Sequence, residues 1–251
     1  MHPDLSLALA LADAADVITM KHFRSAGLSV RTKTDSSPVS EADEETERAL
    51  RNLLEKQRPE DGVLGEEYGT TGTTARRWII DPIDGTRNYV RGVPVFGTLI
   101  ALEEHGHVTV GTVSAPALGR RWWARRGDGA FCNGTRLRVS NISALKEAFI
   151  GYDSVTDFKP SQIESRFVDL LHACDRSRGF GDFWAHMLVA EGAIDIALEP
   201  KVATWDMAPI QVIVEEAGGR FTSFSGEARP DGGSGLSTNG AIHDAVLEYL
   251  R

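Results

Sequence analysis

The N-terminal part of the chain shows the apolar spacing of two amphipathic helices joined by a short extended segment, residues 28–33. The inward face of the first helix is expected to comprise Leu5, Leu9, Ala12, Ala15 and Ile18. The second helix is predicted to begin near Ser40. The inward face of this second helix is expected to comprise Ala42, Thr46, Ala49, Leu50 and Leu53.

Residues 62–140 change to the pattern of short β-strands separated by turn residues. The predicted strands are 63–64, 78–80, 96–103, 108–114, 121–124 and 137–139. The intervening turns, 104–106 and 127–129, are short and therefore predict antiparallel pairing. Asn133-Gly134-Thr135 matches a glycosylation sequon, but Asn-Gly between two strand-like runs is more simply a hairpin turn.

From Ser143 onward strands and helices alternate. The predicted strands are 149–150, 177–180, 195–198 and 220–223, and the predicted helices lie near 161–173, 182–191, 206–217 and 241–250. Gly218-Gly219 is a C-terminal stop signal for the third of these helices. We therefore expect an N-terminal α+β half, residues 1–140, and a C-terminal α/β half, residues 141–251, that form one compact unit of layered helices and sheets.

Composition places the 251 residues among ordinary globular proteins, with 41% hydrophobic and 25% charged residues. Acids outnumber bases 36 to 27, and the formal net charge of −9 argues against binding of nucleic acid, which needs clustered Lys and Arg. A phosphate-bearing substrate stays compatible, because divalent metal ions invert the local sign of the field. The N-terminus lacks the pattern of a signal peptide, and no stretch is apolar enough for a membrane span. With only two well-separated cysteines, a cytoplasmic protein with reduced thiols is expected.

The segment WIIDPIDGT, residues 78–86, carries the most chemical information. An apolar strand runs into Asp81 and Asp84, and Pro82 stiffens the turn between them. The two carboxylates and the Ile83 carbonyl are ligands suited to Mg²⁺, and backbone amides at Gly85 and beyond would face an anion if a helix starts there. The alternative is that Asp84 only caps a helix after a buried strand. The segment by itself leaves both interpretations open.

Three further acids stand at predicted element ends, and each has a structural alternative. Glu66 follows the strand 63–64 and fits either a metal site or a solvated turn. Asp206 precedes an apolar helix and fits an N-cap. Asp43 lies three residues after Ser40 and fits a capping box. These acids form one site only if the fold brings the element ends together, which spacing does not establish.

The motifs GEE (65–67), DPIDGT (81–86), WD (205–206) and EAGG (216–219) together resemble the inositol monophosphatase superfamily across nearly the whole chain. Other segments resemble its bacterial histidinol-phosphate phosphatase branch: NYVRGVP (88–94), SAPAL (114–118), RWW (121–123), GDF (181–183) and LVAEG (188–192). The resemblance implies a layered α/β/α/β/α sugar-phosphatase fold, dependence on Mg²⁺, and a homodimer. It also implies a small phosphorylated metabolite as the partner, with no nucleic acid and no membrane.

The resemblance also implies residue roles. A first Mg²⁺ would be held by Glu66, Asp81 and the Ile83 carbonyl, a second by Asp81, Asp84 and Asp206, and a third, weaker ion would touch Glu66. The catalytic residues would be Asp43 and Thr86, which orient the attacking water, together with Glu66. The phosphate would lie on Asp84, Gly85 and Thr86. The implied mechanism is an in-line displacement assisted by two metals.

Substrate selection is expected to lie in the second half of the chain, on Arg178, Asp182, Glu199 and Asp206. Two acids near the leaving group, Asp182 and Glu199, would suit a cationic alcohol better than neutral inositol. The leading hypothesis is therefore a phosphomonoesterase acting on L-histidinol phosphate, in histidine biosynthesis. The alternatives are a phosphatase for inositol 1-phosphate or a broader set of sugar phosphates, and a non-catalytic metal-binding module. For Asp182 a helix-capping role, and for Arg178 an ordinary strand position, stay open as well.

Overall fold

The structure, a computed structural model, describes residues 2–32, 38–160 and 163–251. Its helices are α1 (Pro3–His22), α2 (Glu41–Gln57), α3 (Thr86–Val90), α4 (Glu164–Ala173), α5 (Asp182–Ala190), α6 (Thr204–Glu216) and α7 (His243–Leu250). Its strands are β1 (Val30–Thr32), β2 (Pro38–Ser40), β3 (Gly62–Gly65), β4 (Gly69–Thr71), β5 (Arg76–Asp84), β6 (Gly97–Glu104), β7 (His107–Ala115), β8 (Arg120–Arg125), β9 (Gly129–Cys132), β10 (Thr135–Arg136), β11 (Phe149–Tyr152), β12 (Arg176–Gly179), β13 (Ile196–Glu199), β14 (Arg220–Thr222) and β15 (Gly235–Thr238). Residues 33, 161 and 162 of the predicted elements lie outside the described residues.

The first large sheet has eight strands in the order β10-β9-β8-β7-β6-β5-β3-β4. Strands β5 to β10 pair antiparallel with their sequence neighbours, as their short turns predicted. The predicted Asn133-Gly134 turn has both residues at positive φ, 47° and 84°, which is the pattern of a type I′ hairpin. Strand β3 runs parallel to β5, so the carboxyl ends of these two strands meet at the same edge of the sheet.

The second large sheet has five strands in the order β12-β11-β13-β15-β14. Strand β11 lies parallel to both β12 and β13, and the helices α4 and α5 connect these strands in sequence. Strand β13 pairs antiparallel with β15, and its last residue, Glu199, lies opposite Gly235. Because Glu199 ends its strand, its carboxylate reaches the edge of this sheet.

Helices cover both sheets in five layers. Alternation along β5 sends Trp78 and Ile80 towards α1 and α2 and Ile79 towards α5 and α6. Helices α5 and α6 lie between the two sheets, and α4 and α7 cover the outer face of the second sheet. Each fully buried Leu, Ile, Val or Phe side chain contributes about 1.5–3 kcal/mol. The predicted α/β/α/β/α fold is confirmed.

The segment 137–139 is not a strand, contrary to the sequence prediction. The short strand β10 ends at Arg136, and the Val139 amide donates to the Ala217 carbonyl at the end of α6, 3.1 Å away. The Leu137 amide still donates to the Ala130 carbonyl of β9 at 2.8 Å, but no strand continues beyond Arg136. Leu137 and Val139 contact the core of α5 and α6, so their apolar character reflects burial. The sequence also missed β2, β4 and β15, whose Pro, Gly, Ser and Thr content hides them.

The inward face of α2 differs slightly from the predicted one. Ala49 and Leu53 are only half-buried, whereas Leu54 and the acidic Glu47 are fully buried. A buried glutamate is unusual unless its charge is paired. Its partners belong to the site described below.

The sequence also led us to expect reduced cysteines and no membrane-spanning segment. Both cysteines, Cys132 and Cys174, are free thiols. Within the described ranges, no helix is at once long and apolar enough to cross a bilayer.

Candidate active site

Two parallel strands bring the first acids together. Gly65 at the end of β3 lies opposite Ile80 of β5, and the Glu66 amide donates to the Ile80 carbonyl at 3.2 Å. Glu66 is therefore adjacent to Asp81. The regular pairing of β5 with β6 breaks between Asp81 and Asp84, and the Ile83 amide donates to Asp81 Oδ1 at 3.0 Å. The bend places Asp84 on the same side as Asp81.

Helix α6 adds the third acid from the other half of the chain. Asp206 lies in the first turn of α6, between the two sheets. Carboxylate oxygens of Asp81, Asp84 and Asp206 lie within 4.8 Å of one another. The fold therefore gathers acids that are 125 residues apart at their extremes, from positions 81 and 206.

Helix capping and participation in the cluster occur together in these acids. Asp84 Oδ2 accepts the Phe183 amide of α5 at 2.7 Å. Asp84 therefore caps a distant helix, whereas the capping alternative had assigned it to the helix that directly follows it, α3. Asp206 is the third residue of α6 and accepts the Ala203 amide at 2.7 Å. The N-cap residue in the structure is thus Ala203 and not the predicted Asp206, which supplies the reciprocal hydrogen bond. These bonds fix the direction of each carboxylate.

The electrostatics of the cluster favour a cation. Burial, followed by repulsion from neighbouring acids, raises the pKa of Asp81 and of Asp84 well above the ordinary aspartate value. Burial also raises the pKa of Asp206, to about 7. Carboxylates held this close and out of water are unfavourable without a positive charge. The donor set consists of hard oxygen atoms, which fits a divalent cation such as Mg²⁺.

Asp43 and Thr86 form a pair beside this cluster. Asp43 Oδ2 accepts the Ser40 amide at 2.8 Å and the Ser40 hydroxyl at 2.6 Å, which is the predicted capping box of α2. Asp43 Oδ1 lies 3.3 Å from the Thr86 hydroxyl, which is also 2.9 Å from the Ile83 carbonyl. Thr86 begins α3 after Gly85, whose φ of +79° is strongly disfavoured for other residues.

A cavity of about 540 Å³ opens beside the acid cluster. Its lining residues are Glu66, Arg87, Asp153, Thr156, Asp157, Pro160, Glu199, Pro200, Lys201, Val202, Ala203, Trp205 and Asp206. Burial, then the charges of Asp153 and Asp157, raises the pKa of Glu199 to about 8. The side of the cavity next to the second sheet therefore carries the acids Asp153, Asp157 and Glu199 and one base, Lys201.

Asp182 lies beside Gly85. Its φ of +48° is in the left-handed region, and its Oδ2 accepts a hydrogen bond from the Asn88 side chain at 3.0 Å. A Cβ atom on Gly85 would lie 3.1 Å from the same oxygen. Burial, then Glu199 and other acids, raises the pKa of Asp182 well above its ordinary value. Asp182 makes no side-chain cap of α5, the role left open from the sequence.

Arg178 lies away from these residues. It is exposed on β12, which is the edge strand of the five-stranded sheet, and its guanidinium contacts the Ser177 carbonyl and the Phe149 ring. The structure thus brings together every predicted site residue except Arg178.

Sequence reasoning missed several residues that contact the site. Buried Glu47 accepts the amides of Glu67 and Tyr68, at 2.7 and 3.2 Å, and pairs with Arg51. It thereby fixes the turn that carries Glu66. The other missed residues are Asn88, Asp153, Asp157 and His186. For Glu47, the available signal was an acid on the inward face of α2.

Comparison with known proteins agrees with this geometry. The chain belongs to the inositol monophosphatase family, whose model matches residues 1–251. A protein of Mycobacterium tuberculosis named histidinol-phosphatase is 51% identical over 255 residues, covering 99% of this chain and 98% of that protein. A Streptomyces coelicolor protein of the same name is 50% identical, covering 98% and 96%. A solved IMPase structure from Thermotoga maritima superposes with a TM-score of 0.89 at 33% identity, covering 99% and 97% of the two chains.

Proposed function

We propose that this protein is a Mg²⁺-dependent phosphomonoesterase that hydrolyses L-histidinol phosphate to L-histidinol and phosphate. The observation that carries the phosphatase activity is the convergence of Asp81, Asp84 and Asp206 beside an acidic cavity. The substrate is supported by the acids Asp182 and Glu199, and by relatives named histidinol-phosphatase at 51% and 50% identity.

The metal ligands in this proposal are Glu66, Asp81, the Ile83 carbonyl, Asp84 and Asp206, which would hold two to three Mg²⁺ ions. When bound, Mg²⁺ supplies an activated water at neutral pH and neutralises developing charge on the phosphate and the leaving oxygen. The protein contributes the preorganised direction of each carboxylate. The hydrogen bonds to the Phe183 and Ala203 amides hold Asp84 and Asp206 in place before any ligand arrives.

The Asp43–Thr86 pair orients the attacking water, and Glu66 completes the catalytic set. The Thr86 hydroxyl carries one proton and lies between Asp43 Oδ1 and the Ile83 carbonyl, so its oxygen can accept a hydrogen bond from water. The water oxygen attacks phosphorus while the bond from phosphorus to the ester oxygen breaks. The proton lost by the water passes through Thr86 Oγ1 to Asp43 Oδ1, and the leaving alcohol oxygen takes its proton from solvent. Backbone amides at Gly85 and Thr86 hold the phosphate, and Asp84 would contribute through the cation that it holds.

The placement of Asp182 and Glu199 suits the chemistry of histidinol phosphate. In that ester the ammonium group is on the carbon next to the one that bears the ester oxygen, so the cation lies close to the phosphate. Asp182 lies beside Gly85. Glu199 lines the adjoining cavity together with Asp206, which is also a predicted substrate contact. Burial, followed by repulsion from neighbouring acids, raises the pKa of both residues, and a cation between them would compensate both effects.

The second candidate is an inositol 1-phosphate or broader sugar-phosphate phosphatase. It is supported by the structural similarity to the Thermotoga maritima IMPase. The acidic wall of Asp153, Asp157 and Glu199 disfavours it, because neutral inositol would leave the mutual repulsion of these carboxylates uncompensated. A non-catalytic metal-binding module is disfavoured by the complete set of Asp43, Thr86 and metal-ligating acids.

Three wider proposals come from the sequence: the family resemblance implies the first, the cysteine content the second, and the pattern of strands and helices the third. We propose a homodimer, a cytoplasmic location, and a chain organised as one unit with halves 1–140 and 141–251. In this division the N-terminal half carries most metal ligands and the C-terminal half carries Asp206 and the substrate-selecting acids.

The activity is tested with protein stripped by EDTA and then assayed for phosphate release from L-histidinol phosphate. We expect no release without metal and release restored by Mg²⁺ alone. Absence of release with Mg²⁺, from protein that is folded by circular dichroism, would overturn the proposal.

A further inference from the structure

A buried histidine connects the substrate-facing Glu199 to the interior of the second sheet. His186 of α5 is fully buried, and its Nε2 lies 3.2 Å from Glu199 Oε1. Its Nδ1 lies 2.7 Å from the hydroxyl of Ser237, which is fully buried on β15. The three side chains form a continuous hydrogen-bonded chain that ends at the cavity.

Sheet register and helix period explain why these residues meet. Ala197 of β13 lies opposite Ser237 of β15, and Glu199 lies two residues further along β13. The side chains of Ala197, Ser237 and Glu199 therefore point to the same face of the sheet. Helix α5 covers that face. Asp182 and His186 are four residues apart on α5 and therefore lie on the same side of the helix.

The protonation states in this chain follow from burial. Burial lowers the pKa of His186 to about 3, so the imidazole is neutral and carries one N–H. When a cationic ligand keeps Glu199 ionised, its carboxylate can only accept hydrogen bonds, so the imidazole proton lies on Nε2. Nδ1 then accepts a hydrogen bond from the Ser237 hydroxyl. A neutral imidazole in this tautomer orients the carboxylate without cancelling its charge.

We propose that His186, held by Ser237, is a positioning residue that fixes the Glu199 carboxylate for the cationic group of the leaving alcohol. This inference rests on the proposed function. A glutamate at the end of a strand has rotamer freedom that a single bound N–H removes, and a hydrogen bond to a charged group is directional. A histidinium at this place would instead neutralise Glu199 and remove its attraction for a cation.

The test compares two substrates that differ only in the ammonium group: L-histidinol phosphate and its des-amino analogue, 3-(imidazol-4-yl)propyl phosphate. In His186→Phe, we expect the KM for L-histidinol phosphate to rise by about 10-fold to 100-fold, with kcat changed by less than about threefold. The KM for the analogue should change little. His186→Gln, whose side-chain amide can donate near the position of Nε2, should recover most of the loss. Exposed His172 on α4 offers the matched control, His172→Gln, with no expected effect.

A second readout is calorimetric binding of L-histidinol, which should weaken in His186→Phe and recover in His186→Gln. If the Phe variant does not fold, Ser237→Ala takes its place, because removal of the donor to Nδ1 should raise the KM for L-histidinol phosphate by about 3-fold to 10-fold. Equal KM increases on both substrates, or unchanged KM in the folded variants, would overturn the positioning role. A wild-type enzyme with no preference for the ammonium-bearing substrate would instead overturn the proposed function.

Discussion

Replacement of Asp84 by Asn separates the metal-binding role of this residue from its structural role. The asparagine side chain keeps an oxygen that can accept the Phe183 amide, so the cap of α5 survives. The negative charge is lost. Asp84→Asn should therefore leave the fold intact while it removes one anionic ligand from the group formed with Asp81 and Asp206.

The structure sets the scale of the effect on stability. Two unit charges 4.8 Å apart, the outer limit in this cluster, repel by about 3.5 kcal/mol at an effective dielectric constant of about 20. Asp84 faces two such neighbours, but the raised pKa values mean that protonation already relieves part of this repulsion. We therefore expect the metal-free variant to be more stable than the wild type by about 2 kcal/mol at pH 8, or roughly 4–8 °C in Tm.

The assay is thermal unfolding at pH 8 in EDTA and in excess Mg²⁺, with phosphate release measured in parallel. The wild type should gain stability from Mg²⁺, whereas Asp84→Asn should gain little. Phosphate release should fall by about a thousandfold, since the lost metal contact is worth several kcal/mol. Asp244→Asn, at an exposed residue of α7 paired with Arg220, is the matched control. A metal-free variant no more stable than the wild type, or a retained response to Mg²⁺, would refute this electrostatic account.

Three further predictions follow from the same contacts. Glu47→Ala removes the shared partner of the Glu67 and Tyr68 amides and of Arg51. It should lower the free energy of unfolding by about 3 kcal/mol in chemical denaturation and weaken Mg²⁺ binding in calorimetry. Unchanged Mg²⁺ affinity would argue against control of the Glu66 turn by Glu47. Burial raises the pKa of Asp206 from 3.8 to about 7, so between these pH values the folded metal-free protein keeps a proton that the unfolded chain loses. The free energy of unfolding of the metal-free protein should therefore fall as the pH rises through that interval. The Tm increase caused by Mg²⁺ should consequently be larger at pH 8 than at pH 5, and a shift that is constant with pH would contradict it. Asp182→Ala should raise the KM for L-histidinol phosphate more than that for inositol 1-phosphate, whereas equal effects in steady-state kinetics would remove Asp182 from substrate selection.

The parts of the site that can be predicted from the sequence are those whose residues lie close together in one segment of the chain. An apolar strand that runs into Asp81 and Asp84 makes both the strand and the pair of acids visible, because β5 is buried on both faces. The capping alternatives were also visible locally, and they coexist with the site for Asp43 and Asp206. Helix caps and ligand sites both need carboxylates at element ends, so spacing alone does not separate them.

The parts that sequence does not predict depend on distant partners. Asp84 caps a helix 99 residues further on, and His186 is held by a strand residue 51 positions away. Such contacts exist only after the two sheets have packed against α5 and α6. The error at 137–139 has the same origin, because an apolar segment next to a sheet is packed against α6.

The central claim is the choice of substrate, and the most direct measurement is the ratio of kcat/KM for L-histidinol phosphate to that for inositol 1-phosphate, with Mg²⁺ and the same enzyme preparation. The acids at 182 and 199 predict a ratio well above one, of the order of a hundredfold if a single charge-assisted contact is made to the ammonium group. A ratio at or below one would contradict the account and favour the inositol-directed alternative.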